Sequence, residues 1–296
     1  MKLRKYFLLM IMAFSFFRLD SQDSQKLMFC AENDAQKVLM KNNGIENVFI
    51  IYQGSFVNND GLAVNKRLLE RYINKYIPNK LDSGYGILDW EGQFYNTIAW
   101  SWNKVPPDQY KIILDKYIFV LKYVKMLRTK MKWSIYGIPP WINSTNAEDA
   151  VNLTEGLIPL IRELDFLCPS IYLLADGKTI EENFANKYFD ANMVYAIKLA
   201  KQLRKPVYTC VWHRYSNNSL VAPTVYKKLI NRINTTISDR IKGNGIIWWS
   251  CEDYLYTLNS KDSIIKNEYI NVTDPKAYQM ILLKNYIDSI KPLFNN

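Results

Sequence analysis

The chain is poor in the residues that bind metals and nucleotides. Its 296 residues include one histidine, His213, and four cysteines, Cys30, Cys168, Cys210 and Cys251, spaced nothing like a zinc site. Metal catalysis through histidine and cysteine is thereby excluded. Only a carboxylate-held calcium or magnesium ion stays open, and no metal or cofactor is expected. Neither a glycine-rich phosphate loop nor a nucleophile elbow follows any strand-like run, which argues against a nucleotide-binding fold and against an α/β-hydrolase. The net charge is +10, yet lysine and arginine are scattered along helix-like segments with no basic run. That pattern speaks against nucleic acid and fits a solvated helical surface, with a residual pull toward anionic partners such as a polysaccharide. There is no internal repeat, no low-complexity linker and no break in composition, so a single domain of monomeric type is expected.

No apolar run is long enough to cross a membrane either. Met-Lys-Leu-Arg-Lys opens the chain, and Tyr6 to Phe17 is apolar but short. This is the layout of a secretory signal peptide over residues 1–22, followed by one domain over 23–296. The expectation is a secreted chain without stable membrane insertion, an uncleaved anchor being the alternative. Cleavage near Gln22 removes four basic residues and one acidic one, lowering the net charge from +10 to +7. An even cysteine count in a secreted chain allows two disulfides. All four also lie in or beside apolar runs, where a free thiol packs as a small hydrophobe. Sequons at Asn143, Asn152, Asn217, Asn234 and Asn271 fit a secretory route.

What is present is apolar and aromatic. The apolar fraction is 49%, with 8 Trp and 21 Tyr, enough for a large core and for clefts that suit sugar rings. Strand-like runs recur at Lys26–Ala31, Asn47–Tyr52, Gly84–Glu91, Met131–Gly137, Leu167–Leu174, Pro206–Trp212 and Gly245–Ser250. Helix-like segments alternate with them, the clearest from Pro107 with an inner stripe of Ile113, Tyr117, Val120, Leu121, Val124 and Leu127. Such alternation predicts a parallel α/β sheet, and the missing nucleotide motifs favour a closed (β/α) barrel. Chemistry in such barrels sits at the carboxyl ends of the strands.

The stretch that stands out is Gly84-Tyr-Gly-Ile-Leu-Asp-Trp-Glu-Gly92. Side chains alternate along a strand, so Asp89 and Glu91 share a face and Trp90 takes the other. Two close carboxylates disfavour each other's ionisation, and an apolar setting acts the same way, so one can keep its proton and act as a general acid. Strand ends also carry acids simply as caps. Here, however, Tyr136, Tyr172, His213 with Arg214, and Trp249 with Glu252 and Asp253 stand at the other strand ends. Acids and aromatics around one mouth describe a sugar-cleaving cleft. His213 with Arg214 reads as a loop contact, and Glu252 with Asp253 as a helix cap or a substrate contact.

These strands resemble the hyaluronidases of venom, sperm and lysosomal type. Tyr76-Ile-Pro78 and Asn79 to Glu91 are similar to that family's acid-bearing strand and its approach. Trp133-Ser-Ile-Tyr-Gly-Ile-Pro139, Pro169-Ser-Ile-Tyr-Leu173, Pro206-Val-Tyr208 and Gly245-Ile-Ile-Trp-Trp249 follow in the family's order. The resemblance implies a distorted (β/α) TIM-like barrel of about seven strands, the number of runs found above. It implies substrate-assisted retaining hydrolysis, an exception to the two-carboxylate scheme. Glu91 would be the proton donor, Asp89 would orient the substrate's acetamido group, Tyr172 would hold it, Trp249 would wall it and Tyr136 would line the sugar site. The implied partner is an anionic or N-acetylated polysaccharide. The family continues after its glutamate with an acid and Trp-Arg-Pro, whereas Gly92-Gln-Phe-Tyr95 follows here. That departure extends the expectation to chondroitin or a chitin-like polymer. It also keeps two alternatives: a binding barrel without catalysis, and a glycosidase pairing Glu91 with Glu252 or Asp253.

Amino-terminal sequencing of the secreted chain should start near residue 23. A mature chain that retains Tyr6 to Phe17 would replace the signal peptide by an anchor.

Overall fold

The computed structural model describes residues 25–58, 61–100, 104–142, 154–173, 182–238, 241–258 and 261–294. The signal region therefore lies outside the described residues. Strands β1 (Lys26–Cys30), β2 (Glu46–Tyr52), β3 (Gly84–Asp89), β4 (Met131–Ile135) and β5 (Tyr208–Trp212) are followed by a small antiparallel pair, β6 (Ile237–Ser238) and β7 (Ile241–Lys242), and by β8 (Gly245–Trp249). Six of them form one parallel sheet in the order β4-β3-β2-β1-β8-β5. The first strand pairs with the last, Lys26 standing opposite Gly245 and Cys30 opposite Trp249.

The two ends of this sheet, β4 and β5, are joined by the segment 165–173. Asp165 N–H donates to the Trp133 carbonyl (2.9 Å) and Cys168 N–H to Ile138 (2.7 Å) on one side. On the other, the Leu167 carbonyl accepts from Tyr208 N–H (2.9 Å) and the Pro169 carbonyl from Cys210 N–H (2.8 Å). The ring is thus closed, and its members follow one another in chain order. The sequence predicts a full strand here; the structure has isolated bridges instead, so the sheet counts six strands. The physical reason is Pro169, which has no N–H to give to a ladder. In addition, Cys168 pairs antiparallel with Ile138 while Leu167 and Ser170 pair parallel with Val207 and Cys210, so the segment makes single bridges to two neighbours instead of a continuous ladder with one.

Strand alternation sorts the core into layers. Met28, Cys30, Val48, Tyr85, Ile87, Cys168, Cys210 and Ile247 fill the ring. Leu88, Trp90, Trp133 and Ile135 point outward to α4 (Pro107–Leu127), while Phe29, Ile246 and Trp248 point outward to α7 (Pro223–Thr235) and α10 (Pro275–Ile290). In chain order the remaining helices are α1 (Asp34–Asn42), α2 (Lys66–Tyr76), α3 (Gln93–Trp100), α5 (Ile158–Glu163), α6 (Glu182–Leu203), α8 (Glu252–Leu258) and α9 (Ser263–Tyr269). The long α4 is predicted with its inner stripe, of which Ile113, Tyr117, Val120, Leu121 and Val124 are buried. The short α1, α3, α8 and α9 are not legible in the sequence. Among the described residues no helix is long and apolar enough to cross a membrane. All four cysteines are buried free thiols. The Asn234 side chain is buried on α7, where the packing of the fold leaves no room for a glycan.

Gly86 is required on the outer face of β3. A Cβ there would stand 2.2 Å from the ring of Trp133 on the neighbouring strand. Gly86→Ala should lower unfolding stability in urea by about 1–3 kcal/mol through overpacking. Combined with Trp133→Leu, the loss should be smaller than the sum of the two single losses.

Candidate active site

The site is built outward from Trp90. Just past the end of β3, its indole is 1% exposed. It stacks on Tyr117 at 4.1 Å and meets Phe56 edge-on at 5.5 Å. Its Nε1 donates to the Gly61 carbonyl (3.0 Å), and its own carbonyl accepts from the Tyr117 hydroxyl (3.2 Å). With Trp90 held outward, Asp89 and Glu91 turn inward. The Glu91 amide donates to Gln53 Oε1 (3.1 Å). Gly92 then takes a φ of +87°, which lets the chain leave at once into α3.

Both carboxylates line a cavity of about 380 Å³ at the carboxyl end of the ring, together with Tyr136, Tyr172 and Trp249. All five residues singled out by sequence thus meet in one place. Cys30, Cys210, Ile50, Ile87 and Ile247 form its inner wall. Burial, and after it the Glu91 charge, raises the Asp89 carboxyl to about 7. Burial also raises Glu91. Asp89 can therefore retain a proton near neutral pH, and Glu91 is shifted in the same direction, the one that acid catalysis by a carboxyl group requires.

The aromatic side of the cavity is continuous. Tyr172 stacks on Trp249 at 6.0 Å with the rings 12° from parallel, and Tyr136 lies 6.3 Å from Tyr172 on its other side. The Tyr136 hydroxyl is bonded to Ser170 Oγ (2.8 Å). Two further residues, not chosen from sequence, support this wall. Trp212 packs 5.1 Å from Trp249, and the Tyr52 hydroxyl accepts from Trp249 Nε1 (3.1 Å). Both end a strand, and Tyr52 stands opposite Asp89 in the β2–β3 register, so the strand-end rule that selected the others would have found them. The Tyr172 hydroxyl and Asp89 Oδ1 are buried and make no well-formed hydrogen bond.

The other polar strand-end residues belong elsewhere. His213, Arg214 and Glu252 are completely buried, which corrects the reading of His213 and Arg214 as a loop contact. Burial alone would raise the Glu252 carboxyl, but hydrogen bonds from Arg214 and His213 outweigh it and hold it down at about 2. Asp253 accepts from Asn33 Nδ2 (2.6 Å), and the Glu32 carboxylate caps α8 through the amides of Asp253 and Tyr254. No metal-binding cluster occurs among the described residues.

No family model matches the chain. Hyaluronidase Tab y 2.0101 of Tabanus yao is 24% identical over 263 residues, covering 76% of this chain and 72% of that protein. Bee venom hyaluronidase superposes with a TM-score of 0.62 at 15% identity, over 83% of this chain and 97% of that structure. The chain is hyaluronidase-like. The bee venom enzyme in complex with a hyaluronic acid tetramer superposes with a TM-score of 0.58 at 16% identity, over 84% of this chain and 96% of that one. This hyaluronidase-like barrel therefore spans nearly the whole of the bee venom structure.

The raised Asp89 carboxyl makes stability depend on pH. Its pKa is about 7 in the fold, against roughly 3.9 in an unfolded chain. The fold therefore holds the proton more tightly, and the stability this confers is complete below pH 4 and is lost as pH rises through 7. Asp89→Asn removes that loss. Relative to the parent, the variant should gain little near pH 4 and up to about 4 kcal/mol at pH 8, read from melting curves at the two pH values.

Proposed function

We propose that this chain is a secreted glycoside hydrolase of hyaluronidase type. In this reading it cleaves hyaluronan or a related N-acetylhexosamine polymer internally and with retention, the substrate's own acetamido group acting as nucleophile. The observation that carries the reading is that two residues lining one cavity, Asp89 and Tyr172, each bring a buried oxygen with no well-formed hydrogen bond, Asp89 Oδ1 and the Tyr172 hydroxyl, the latter having only the Tyr136 hydroxyl as a neighbour. A buried polar atom without a partner costs about 1–3 kcal/mol. An acetamido group offers an N–H for Asp89 and a carbonyl oxygen for Tyr172, and so satisfies both at once.

The chemistry follows from these contacts. Glu91, its carboxyl raised by burial, protonates the glycosidic oxygen. The acetamido oxygen attacks the anomeric carbon as the leaving group departs, and the positive charge that develops on the acetamido group lies against Asp89. That charge favours the ionised form of Asp89, which the site otherwise opposes. Trp249 closes the face behind the acetamido group, and Tyr136 lines the sugar. In the second step water gives a proton to the ionised Glu91 and attacks the anomeric carbon, breaking its bond to the acetamido oxygen, so the acetamido group is restored and the hydrolysed sugar end is released. The likeness to a hyaluronidase over 76% of the chain supports the same class of reaction.

A second reading is a carbohydrate-binding barrel without turnover, favoured by Gly92-Gln-Phe-Tyr95 standing where the family has an acid and Trp-Arg-Pro. The route through two protein carboxylates is disfavoured because neither Glu252, buried against Arg214 and His213, nor Asp253, bonded to Asn33, lines the cavity.

The test is release of reducing N-acetylhexosamine ends from hyaluronan, chondroitin and a chitin oligomer. The parent should cleave at least one polymer. Glu91→Gln should lower kcat by a factor of about 10²–10⁴ while its melting temperature stays within error. A retained rate in that variant would remove Glu91 as the acid. Glycan binding without cleavage by the parent would favour the binding barrel.

A further inference from the structure

Behind the aromatic wall lies a buried ionic cluster that the proposed reaction does not use. Arg214, just past β5, employs all of its donors. Nε and Nη2 bind the two oxygens of Glu252 at 2.8 and 2.6 Å. Nη1 and Nη2 bind the two oxygens of Glu268 at 2.8 Å each, and Nη1 also reaches the Asn218 carbonyl at 2.7 Å. Two parallel forks on one guanidinium fix it in both angle and distance. His213 Nδ1 accepts from Trp248 Nε1 (3.0 Å), so its proton resides on Nε2, which faces Glu252 Oε1 at 2.9 Å. Burial keeps this imidazole below its ordinary pKa and hence neutral.

These groups converge on the turn that leaves β8. Trp249 is followed by Ser250, then Cys251 at φ +52°, then Glu252. Every residue of the turn is held. The Ser250 carbonyl accepts from Trp212 Nε1 (3.1 Å), and its hydroxyl donates to Glu32 (3.3 Å). A left-handed backbone at a cysteine is strained and persists only where the surroundings impose it. The carboxylate of Glu252 supplies that constraint from the far side, and the Glu252 carbonyl is held in turn by Gln279 Nε2 (3.1 Å).

We infer that Arg214, through Glu252 and with His213, is the positioning residue for Trp249, setting the indole at the distance from Tyr172 that an acetamido group requires. The inference rests on the reading of Trp249 under the proposed function. An apolar side chain at 214 would leave Glu252 and Glu268 without their shared cation. Arg214→Lys keeps the charge but has no fork, so it cannot hold both carboxylates in plane.

The test is a double-mutant cycle on kcat/KM with Arg214→Lys, Trp249→Ala and the double variant. If Arg214 acts through Trp249, Arg214→Lys lowers kcat/KM by up to about 100-fold, the scale of a displacement near 1 Å. The double variant then falls no lower than Trp249→Ala alone. Losses that multiply overturn the inference. Arg128→Lys serves as the control, since Arg128 is also fully buried but binds the Ile77 and Leu127 carbonyls and Asn74. It should lower the melting temperature and leave kcat/KM in place, and an equal drop in kcat/KM also overturns the inference. Should Arg214→Lys fail to fold, Glu268→Gln, which removes one fork from a partly exposed partner, takes its place in the cycle. A crystal structure of whichever variant folds gives the result independently of turnover. A displaced Trp249 indole is expected, and an unmoved one overturns the inference. A parent that cleaves no polymer would defeat the proposed function while leaving this structural outcome intact.

Discussion

Burial of the Trp90 indole is the contact on which the site depends. The period of a strand is two, so fixing one side chain outward fixes both neighbours inward. Stacking on Tyr117, the edge contact with Phe56 and the bond to the Gly61 carbonyl leave that indole a single orientation. Truncating a buried tryptophan typically costs about 3–5 kcal/mol. Holding Asp89 ionised against its surroundings costs a similar amount, about 4 kcal/mol at most. The hydrophobic anchor and the electrostatic opposition it has to overcome are therefore of one size.

The molecule treats its inward-facing carboxylates in two opposite ways. Asp89 and Glu91 face a cavity whose described lining carries no cation, and both are raised. Glu252 and Glu268 share one guanidinium, and Glu252 is lowered. Desolvation is the first influence on Asp89, Glu91 and Glu252 alike, and the partner decides the sign. The raised pair is suited to moving protons and the Arg214 cluster to holding still, although they lie on either side of the same aromatic wall.

Much of this was legible because strands covered on both faces read as unbroken apolar runs. Each run in the sequence other than Leu167–Leu174 became a strand of the sheet. That run had the composition of a strand, but composition does not register that Pro169 lacks a donor or that Cys168 and Ser170 serve different neighbours. Asp89, Glu91, Tyr136, Tyr172 and Trp249 converge because all stand at carboxyl ends in a closed ring, and that rule needs only strand boundaries. Tyr52 falls under the same rule, but a tyrosine closing a strand attracts no notice until its register with Asp89 is known. The Arg214 cluster was hidden for a different reason. Its members come from the end of β5, α8 and α9, and nothing local in the sequence indicates that Glu252 and Glu268 share the Arg214 guanidinium or that His213 faces Glu252.

The pairing of β1 with β8 has a consequence for the birth of the protein. Lys26 finds its partner at Gly245, almost the whole length of the domain later. A ribosome makes the chain from one end, so β1 emerges long before the strand that covers it exists. During that interval its backbone donors and acceptors form an open edge, the feature that invites pairing with other chains. Closing so distant a contact is also slow, because the intervening chain must first be ordered. Synthesis of this barrel thus leaves one edge of β1 uncovered until the last strand arrives.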